Sequence, residues 1–170
     1  MAQQHIVTSF EDDLKGLARS IAEMGGHAEQ LVENSIAALL QSNADLAHDV
    51  IEADKHVDSL QRAIEERAVL VIARRQPMAQ DLRETIAAIR ISSDLERIAD
   101  LGKNIARRAL AIQSQPFSNN VRVGVEHLAE LGLKQVKKVL DAYATRDLAK
   151  AREVCAKDTE IDDLYTSLFR

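Results

Sequence analysis

The segment Ile91-Ser-Ser-Asp-Leu95-Glu-Arg-Ile98-Ala-Asp-Leu-Gly102-Lys-Asn-Ile105-Ala-Arg-Arg-Ala109-Leu-Ala-Ile112 carries a sustained apolar period. Its apolar or small residues Ile91, Leu95, Ile98, Gly102, Ile105, Ala109 and Ile112 step by four and three in strict alternation. A period of about 3.5 residues puts them all on one stripe of an α-helix. A strand cannot keep that spacing, because its side chains alternate faces at every residue. The stretch predicts a long helix packed along its whole length in a bundle.

Upstream of this stretch, Pro77 ends the preceding helix, since the residue before a proline is pushed out of helical geometry. That helix is expected over about residues 45–75, with its seam at Val50, Ala53, Val57, Leu60, Ile64, Ala68 and Val71. The helix after Pro77 runs over about residues 78–112. A first helix is expected over about residues 5–42, with Ile21, Met24, Ala28, Leu31, Val32, Ser35, Ile36 and Leu39 on its apolar side. Gly25-Gly26 falls inside it and reads as close packing rather than a kink. At 1.5 Å per residue this helix spans roughly 55 Å, which suits an extended bundle rather than a compact globin. Asn43-Ala-Asp45 supplies cap-forming residues at the first break. Residues 114–120 form the clear linker. A fourth helix follows over about residues 121–145, and a fifth from about 147 to the end.

Composition agrees with an all-α chain. Apolar residues make up 46% and charged residues 29%, there is no Trp, and only two prolines and six glycines interrupt the chain. Ala and Leu supply the bulk, and both favour helix. A net charge of −5 gives no reason to expect a nucleic-acid partner. The single Cys155 cannot form an internal disulfide and reads as a reduced, cytosolic thiol. The N-terminus shows no secretory signal, and no run of about 18 apolar residues could span a membrane. The expected location is the cytoplasm.

Sliding the chain by 104 residues brings out a repeat. Ile21 meets Val125, Met24 meets Leu128, Val32 meets Val136, Ile36 meets Leu140 and Leu39 meets Tyr143. Ala47 meets Ala151, Val50 meets Val154, and Leu60 meets Leu164. From Ala28 onward only seven of thirty-nine aligned pairs are identical, which alone decides nothing. Two of the seven, Asp54 with Asp158 and Asp58 with Asp162, are charged pairs that keep spacing and phase, and these carry the repeat. The reading is a tandem repeat of elongated three-helix bundles. The first covers residues 1–113, the linker 114–120, and the second 121–170 with its third helix missing. A counterpart of that helix would lie beyond Arg170, so a longer natural chain is expected. The apolar faces of the fourth and fifth helices should then be partly uncovered.

The candidate chemistry lies in paired acids. Asp54-Lys-His-Val-Asp58, Glu96-Arg-Ile-Ala-Asp100 and Asp158-Thr-Glu-Ile-Asp162 each set two carboxylates four residues apart, hence on one helix face. Asn104 extends the second stripe by a turn. Like charges at this spacing destabilise a helix by a few tenths of a kcal/mol, so something should compensate. A hard cation held by carboxylate oxygens is one candidate. The plain alternative is a solvated acidic face balanced by Arg62, Arg97 or Lys103. Whether the stripes of the second and third helices face each other is open at this level. His27, His48 and His56 show no zinc spacing. Asp45-Leu-Ala-His48 has one di-iron-like spacing without a second, so His48 reads as a surface histidine. There is no Gly-rich phosphate loop. Arg83, Arg90 and Arg97 recur every seven residues, either as a salt-bridged surface stripe or as a docking face for an acidic partner or anion.

The stretch Arg74-Arg-Gln-Pro77-Met-Ala-Gln-Asp81-Leu-Arg83, followed by Leu95-Glu-Arg-Ile-Ala-Asp100 and Asn104-Ile-Ala106, resembles the PhoU family of bacterial phosphate-signalling regulators. The family patterns are Arg-x-Gln-Pro-x-Ala-x-Asp-Leu-Arg and Glu-Arg-Ile-Gly-Asp-x-x-x-Asn-Ile. Ala99 stands where the family usually has glycine. The absent sixth helix would carry the second unit's other acidic motif. The resemblance implies two similar three-helix bundles, a cytoplasmic homodimer, and a negative regulator. Its implied partners are the ATPase subunit of a phosphate ABC transporter and a sensor histidine kinase. Some family members bind multinuclear iron or zinc clusters. By motif, that points to Asp54, Asp58, Glu96, Asp100, Asp158 and Asp162, with Asn104 nearby, and leaves magnesium or manganese open. No enzymatic activity is expected. The alternatives are a carboxylate-bridged metal enzyme and a histidine phosphotransfer bundle using His48 or His56.

Overall fold

The computed structural model describes residues 2–112 and 117–168, with side chains over 11–112, 117–157 and 161–167. Among the described residues every regular element is helical: α1 Ala2–Gln41, α2 Ala44–Arg75, α3 Ala79–Ala111, α4 Asn119–Thr145, α5 Leu148–Ala156 and α6 Asp158–Leu168. The first three helices pack pairwise on one another as a three-helix bundle, and α1 also packs on α4. The second unit is α4 with α5 and α6 against it. The fold class is the expected one. Residues 113–116, which include the start of the expected linker, lie outside the described residues, and α4 begins at Asn119, within that linker's expected end, because Ser118 caps it.

Local chemistry sets the boundaries. Asn43 caps α2, its side chain accepting from the Leu46 N–H at 3.1 Å. Asp147 caps α5, accepting from the Lys150 N–H at 3.0 Å. The residue before each cap is left-handed, Ser42 at φ 52° and Arg146 at φ 55°. Both cap pairs are 104 positions apart, 147 − 43 and 146 − 42, so the backbone repeats at the spacing read from the acids. Gln76, left-handed at φ 49°, closes α2 by donating to the Ile72 carbonyl before Pro77.

The core seam differs from the expected one in an instructive way. On α3 the buried residues are Thr85, Ala88, Ser92, Leu95, Ala99, Gly102, Ala106 and Ala109. Leu95, Gly102 and Ala109 were expected; Ile91, Ile98 and Ile105 are displaced by their small neighbours Ser92, Ala99 and Ala106. The reason is steric. A methyl added at Gly102 would sit 3.2 Å from the Val32 nitrogen and 3.3 Å from the Leu31 carbonyl carbon and oxygen. The α1 and α3 backbones come too close there for isoleucine. Buried hydroxyls satisfy themselves within their own helices, Ser92 on the Ile89 carbonyl at 2.8 Å and Ser35 on the Val32 carbonyl at 2.7 Å. On α2 the seam runs through Asp54, not Ala53: Ala47, Val50, Asp54, Val57, Ile64, Ala68 and Val71 are buried.

Gly25 is a packing contact rather than a kink, and α1 runs through it unbroken. A methyl there would meet the Leu140 side chain of α4 at 2.6 Å. The single fifth helix expected from the sequence is instead two. Lys157 leaves the helical ladder, and its carbonyl accepts from the Gln135 side chain of α4 at 3.2 Å. The second unit is thinly covered, with Ala142 the one buried residue of α4. An open apolar groove of about 340 Å³ lies between α1, α3 and α4, with Val32, Ile36, Ile98, Ile105, Leu128 and Leu133 on its walls. Of the displaced isoleucines of α3, Ile98 and Ile105 line this groove, while Ile91 and Ile98 pack, partly buried, on the edge of the three-helix core.

Candidate functional site

The acidic stripes of α2 and α3 face each other. Asp54 projects from the buried seam of α2 and is 3% exposed. From α3, Lys103 reaches across and donates to the Asp54 carboxylate at 2.6 Å. The same ammonium contacts Asp100, one turn back on its own helix. Lys103 is itself mostly buried. Burial works against its charge, but the hydrogen bonds to Asp100 and Asp54 outweigh that and hold its pKa above the usual lysine value. Glu96 completes the cluster. Burial, then repulsion from Asp100, Asp58 and Asp54, raises its carboxyl pKa, and Lys103 offsets only part of this.

The structure thus brings together Asp54, Asp58, Glu96 and Asp100 out of the six expected acids. Asp162 is exposed, and the Asp158 side chain lies outside the described residues. The four gathered acids do not fit the expected metal centre as they stand. Among the described residues, no three His, Cys, Asp or Glu side chains converge as metal ligands would. The space between Asp54 and Asp100 holds an ammonium instead. Of the three counter-ions weighed from the sequence, Lys103 is the one used. Arg97 is exposed, and the Arg62 guanidinium donates to the Asp58 backbone carbonyl at 3.3 Å.

Two features escaped the sequence reading. The burial of Asp54 was legible in its spacing, four after Val50 and three before Val57, the step of the apolar seam itself. The other is the pairing of His27 on α1 with His56 on α2, whose rings meet edge to face with centroids 4.6 Å apart. Nothing in their sequence separation signals that contact. His48 is exposed, as a surface histidine should be.

Arg83, Arg90 and Arg97 all lie exposed on α3, and none forms an ion pair among the described residues. The salt-bridged form of that stripe is therefore not what the structure shows. Three guanidiniums on one face, about 10 Å apart at 1.5 Å per residue, leave a bare cationic edge.

The PhoU domain model matches residues 21–109 and again 125–170. The chain belongs to the PhoU family. Its two matches fall on the two units defined by the 104-residue repeat. A phosphate-specific transport system accessory protein PhoU homolog of Rhizobium meliloti is 50% identical over the whole chain, which spans 72% of that protein. The Escherichia coli accessory protein PhoU is 35% identical over 98% of the chain, spanning 69% of its own length. The crystal structure of PhoU from Pseudomonas aeruginosa superposes with a TM-score of 0.90 at 34% identity, over 95% of this chain and 77% of that one. The phosphate transport system regulatory protein PhoU from Streptococcus pneumoniae gives 0.86 at 26% identity, over 94% and 74%. The PhoU fold expected from the two motifs is thus the fold of this chain. No described helix is long and apolar enough to cross a membrane.

Proposed function

We propose that this chain is a non-enzymatic accessory protein of a phosphate-specific transport system, acting in the cytoplasm as a negative regulator. The observation that supports the reading is 50% identity, over every residue of the chain, to a protein named as a phosphate-specific transport system accessory protein. The partners we propose are the transporter's ATPase subunit and a sensor histidine kinase, with the chain acting as a homodimer. Physically, a rigid helical body biases a two-state partner by docking better on one state than the other. The unpaired Arg83, Arg90 and Arg97 edge suits such docking, because guanidinium groups recognise carboxylates and phosphates bidentately. A metal-dependent enzyme is the weaker reading. It would need an open coordination position, and the acidic cluster is closed by Lys103.

Deleting the gene should raise phosphate-starvation gene expression in phosphate-rich medium, and the wild-type gene should restore repression. The triple variant Arg83→Glu, Arg90→Glu, Arg97→Glu should be stably folded yet fail to restore it. Normal repression in the deletion strain removes the regulatory reading. Full rescue by the triple variant removes the α3 edge as the docking face.

A further inference from the structure

We infer that Lys103 is the resident cation of the α2–α3 carboxylate cluster, and that a divalent metal can enter only where this side chain is taken away. The argument begins with valence and space. Asp54 and Asp100 belong to different helices, and one ammonium nitrogen touches an oxygen of each. A hard cation bridging the same two oxygens would need them at about 2.0–2.6 Å from its own centre. Metal and ammonium cannot share that position. Lys103 also needs no coordination sphere to be satisfied, since an ammonium has three donors and two are already used here.

The surroundings favour the lysine. Asp54 is buried at the seam and cannot turn to water, so an unpaired charge there would be strongly destabilising. Lys103 is tethered to α3 one turn from Asp100 and is present at all times, whereas a metal must be captured from solution. Asp58 and Glu96 stand close enough to act electrostatically on the cluster. A single positive charge among these carboxylates leaves net negative charge. Removing the lysine should therefore expose a strongly cation-attracting pocket rather than a neutral one. The cluster works here as a metal-independent clamp between α2 and α3.

The test uses the chain stripped of metal with a chelator, then titrated with Mn²⁺ alone, a cation that prefers oxygen ligands. Binding is followed by equilibrium dialysis and by the Mn²⁺ paramagnetic signal. The wild type and Lys103→Arg should bind weakly and alike. Lys103→Gln, shown folded by circular dichroism, should bind at least about tenfold tighter, as expected when a fixed positive charge leaves the site. Adding Asp100→Asn to Lys103→Gln should abolish the gain. Tight Mn²⁺ binding by the wild type that Asp100→Asn removes would overturn the inference, and so would a folded Lys103→Gln chain with no gain. Should Lys103→Gln fail to fold, the wild type and its Asp100→Asn variant decide the matter by the same criterion.

Discussion

Replacing Gly102 by alanine pits two measurable effects against each other. In a helix interior alanine is favoured over glycine by roughly 0.5–1 kcal/mol. The added methyl must then fit against α1, where the Val32 nitrogen lies 3.2 Å away and the Leu31 carbonyl carbon and oxygen 3.3 Å. These are backbone atoms and cannot rotate aside, so α1 itself must move by a few tenths of an ångström. Overpacking of this kind costs about 1–3 kcal/mol. Gly102→Ala should therefore be destabilising, by about 1 kcal/mol net. Gly26→Ala is the internal control, because a methyl there meets nothing within 4 Å. It should stabilise by about 0.5–1 kcal/mol through propensity alone. Urea unfolding of both variants, with the free energy extrapolated to water, reads the two signs directly. If Gly102→Ala is as stabilising as Gly26→Ala, then α1 and α3 do not approach as described, and the small-residue seam loses its explanation.

Asp54→Ala should cost about 2–4 kcal/mol in the same assay, since it strips a partner from a buried ion pair; a loss below about 1 kcal/mol would show that Lys103 is served equally well by Asp100 and water. Glu96→Gln should raise the melting temperature at pH 7. The sign follows from the raised pKa of Glu96, whose charged form is disfavoured in the folded chain, so its destabilising effect sets in as pH rises from the unfolded value of 4.5 through the higher folded one. Below pH 4.5 both side chains are neutral and the gain should vanish; a gain of the same size at pH 4 would point to packing instead. The triple reversal of Arg83, Arg90 and Arg97 should leave the unfolding midpoint nearly unchanged, because all three are exposed and unpaired, and a large midpoint shift would show that the stripe has a structural role.

What the sequence could show of the fold was whatever obeys a period. Helix number and order in the first unit, the cap residue Asn43, the stop at Pro77 and the 104-residue repeat all follow from spacing or from single-residue backbone preference. The phase of the α3 seam did not follow, because large apolar side chains dominate any reading by hydrophobicity. The core here selects small ones. Ala99 and Ala106 are fully buried, while Ile98 and Ile105 line a groove toward α4. Close approach of two backbones is a property of the pair of helices, and neither helix announces it alone. The split of the last helix at Lys157 was hidden for the same reason, since it depends on Gln135 of another helix taking the freed carbonyl.

The acidic cluster was legible in its members and not in its counter-charge. Spacing puts Asp54 with Asp58, and Glu96 with Asp100, each pair on one helix face, and that much the structure keeps. Which cation answers them is decided by the relative rotation of α2 and α3, through which Lys103 rather than Arg62 or Arg97 points at Asp54. That rotation is in turn set by the small-residue seam, because Gly102 is the immediate chain neighbour of Lys103 and fixes α3 against the α1 backbone. Packing and electrostatics at this site are therefore one device. A change that forces α3 away from α1 at Gly102 should also loosen the Lys103–Asp54 contact. Gly102→Ala combined with Asp54→Ala should accordingly cost less than the sum of the single changes, whereas strictly additive losses would show the seam and the ion pair to be independent.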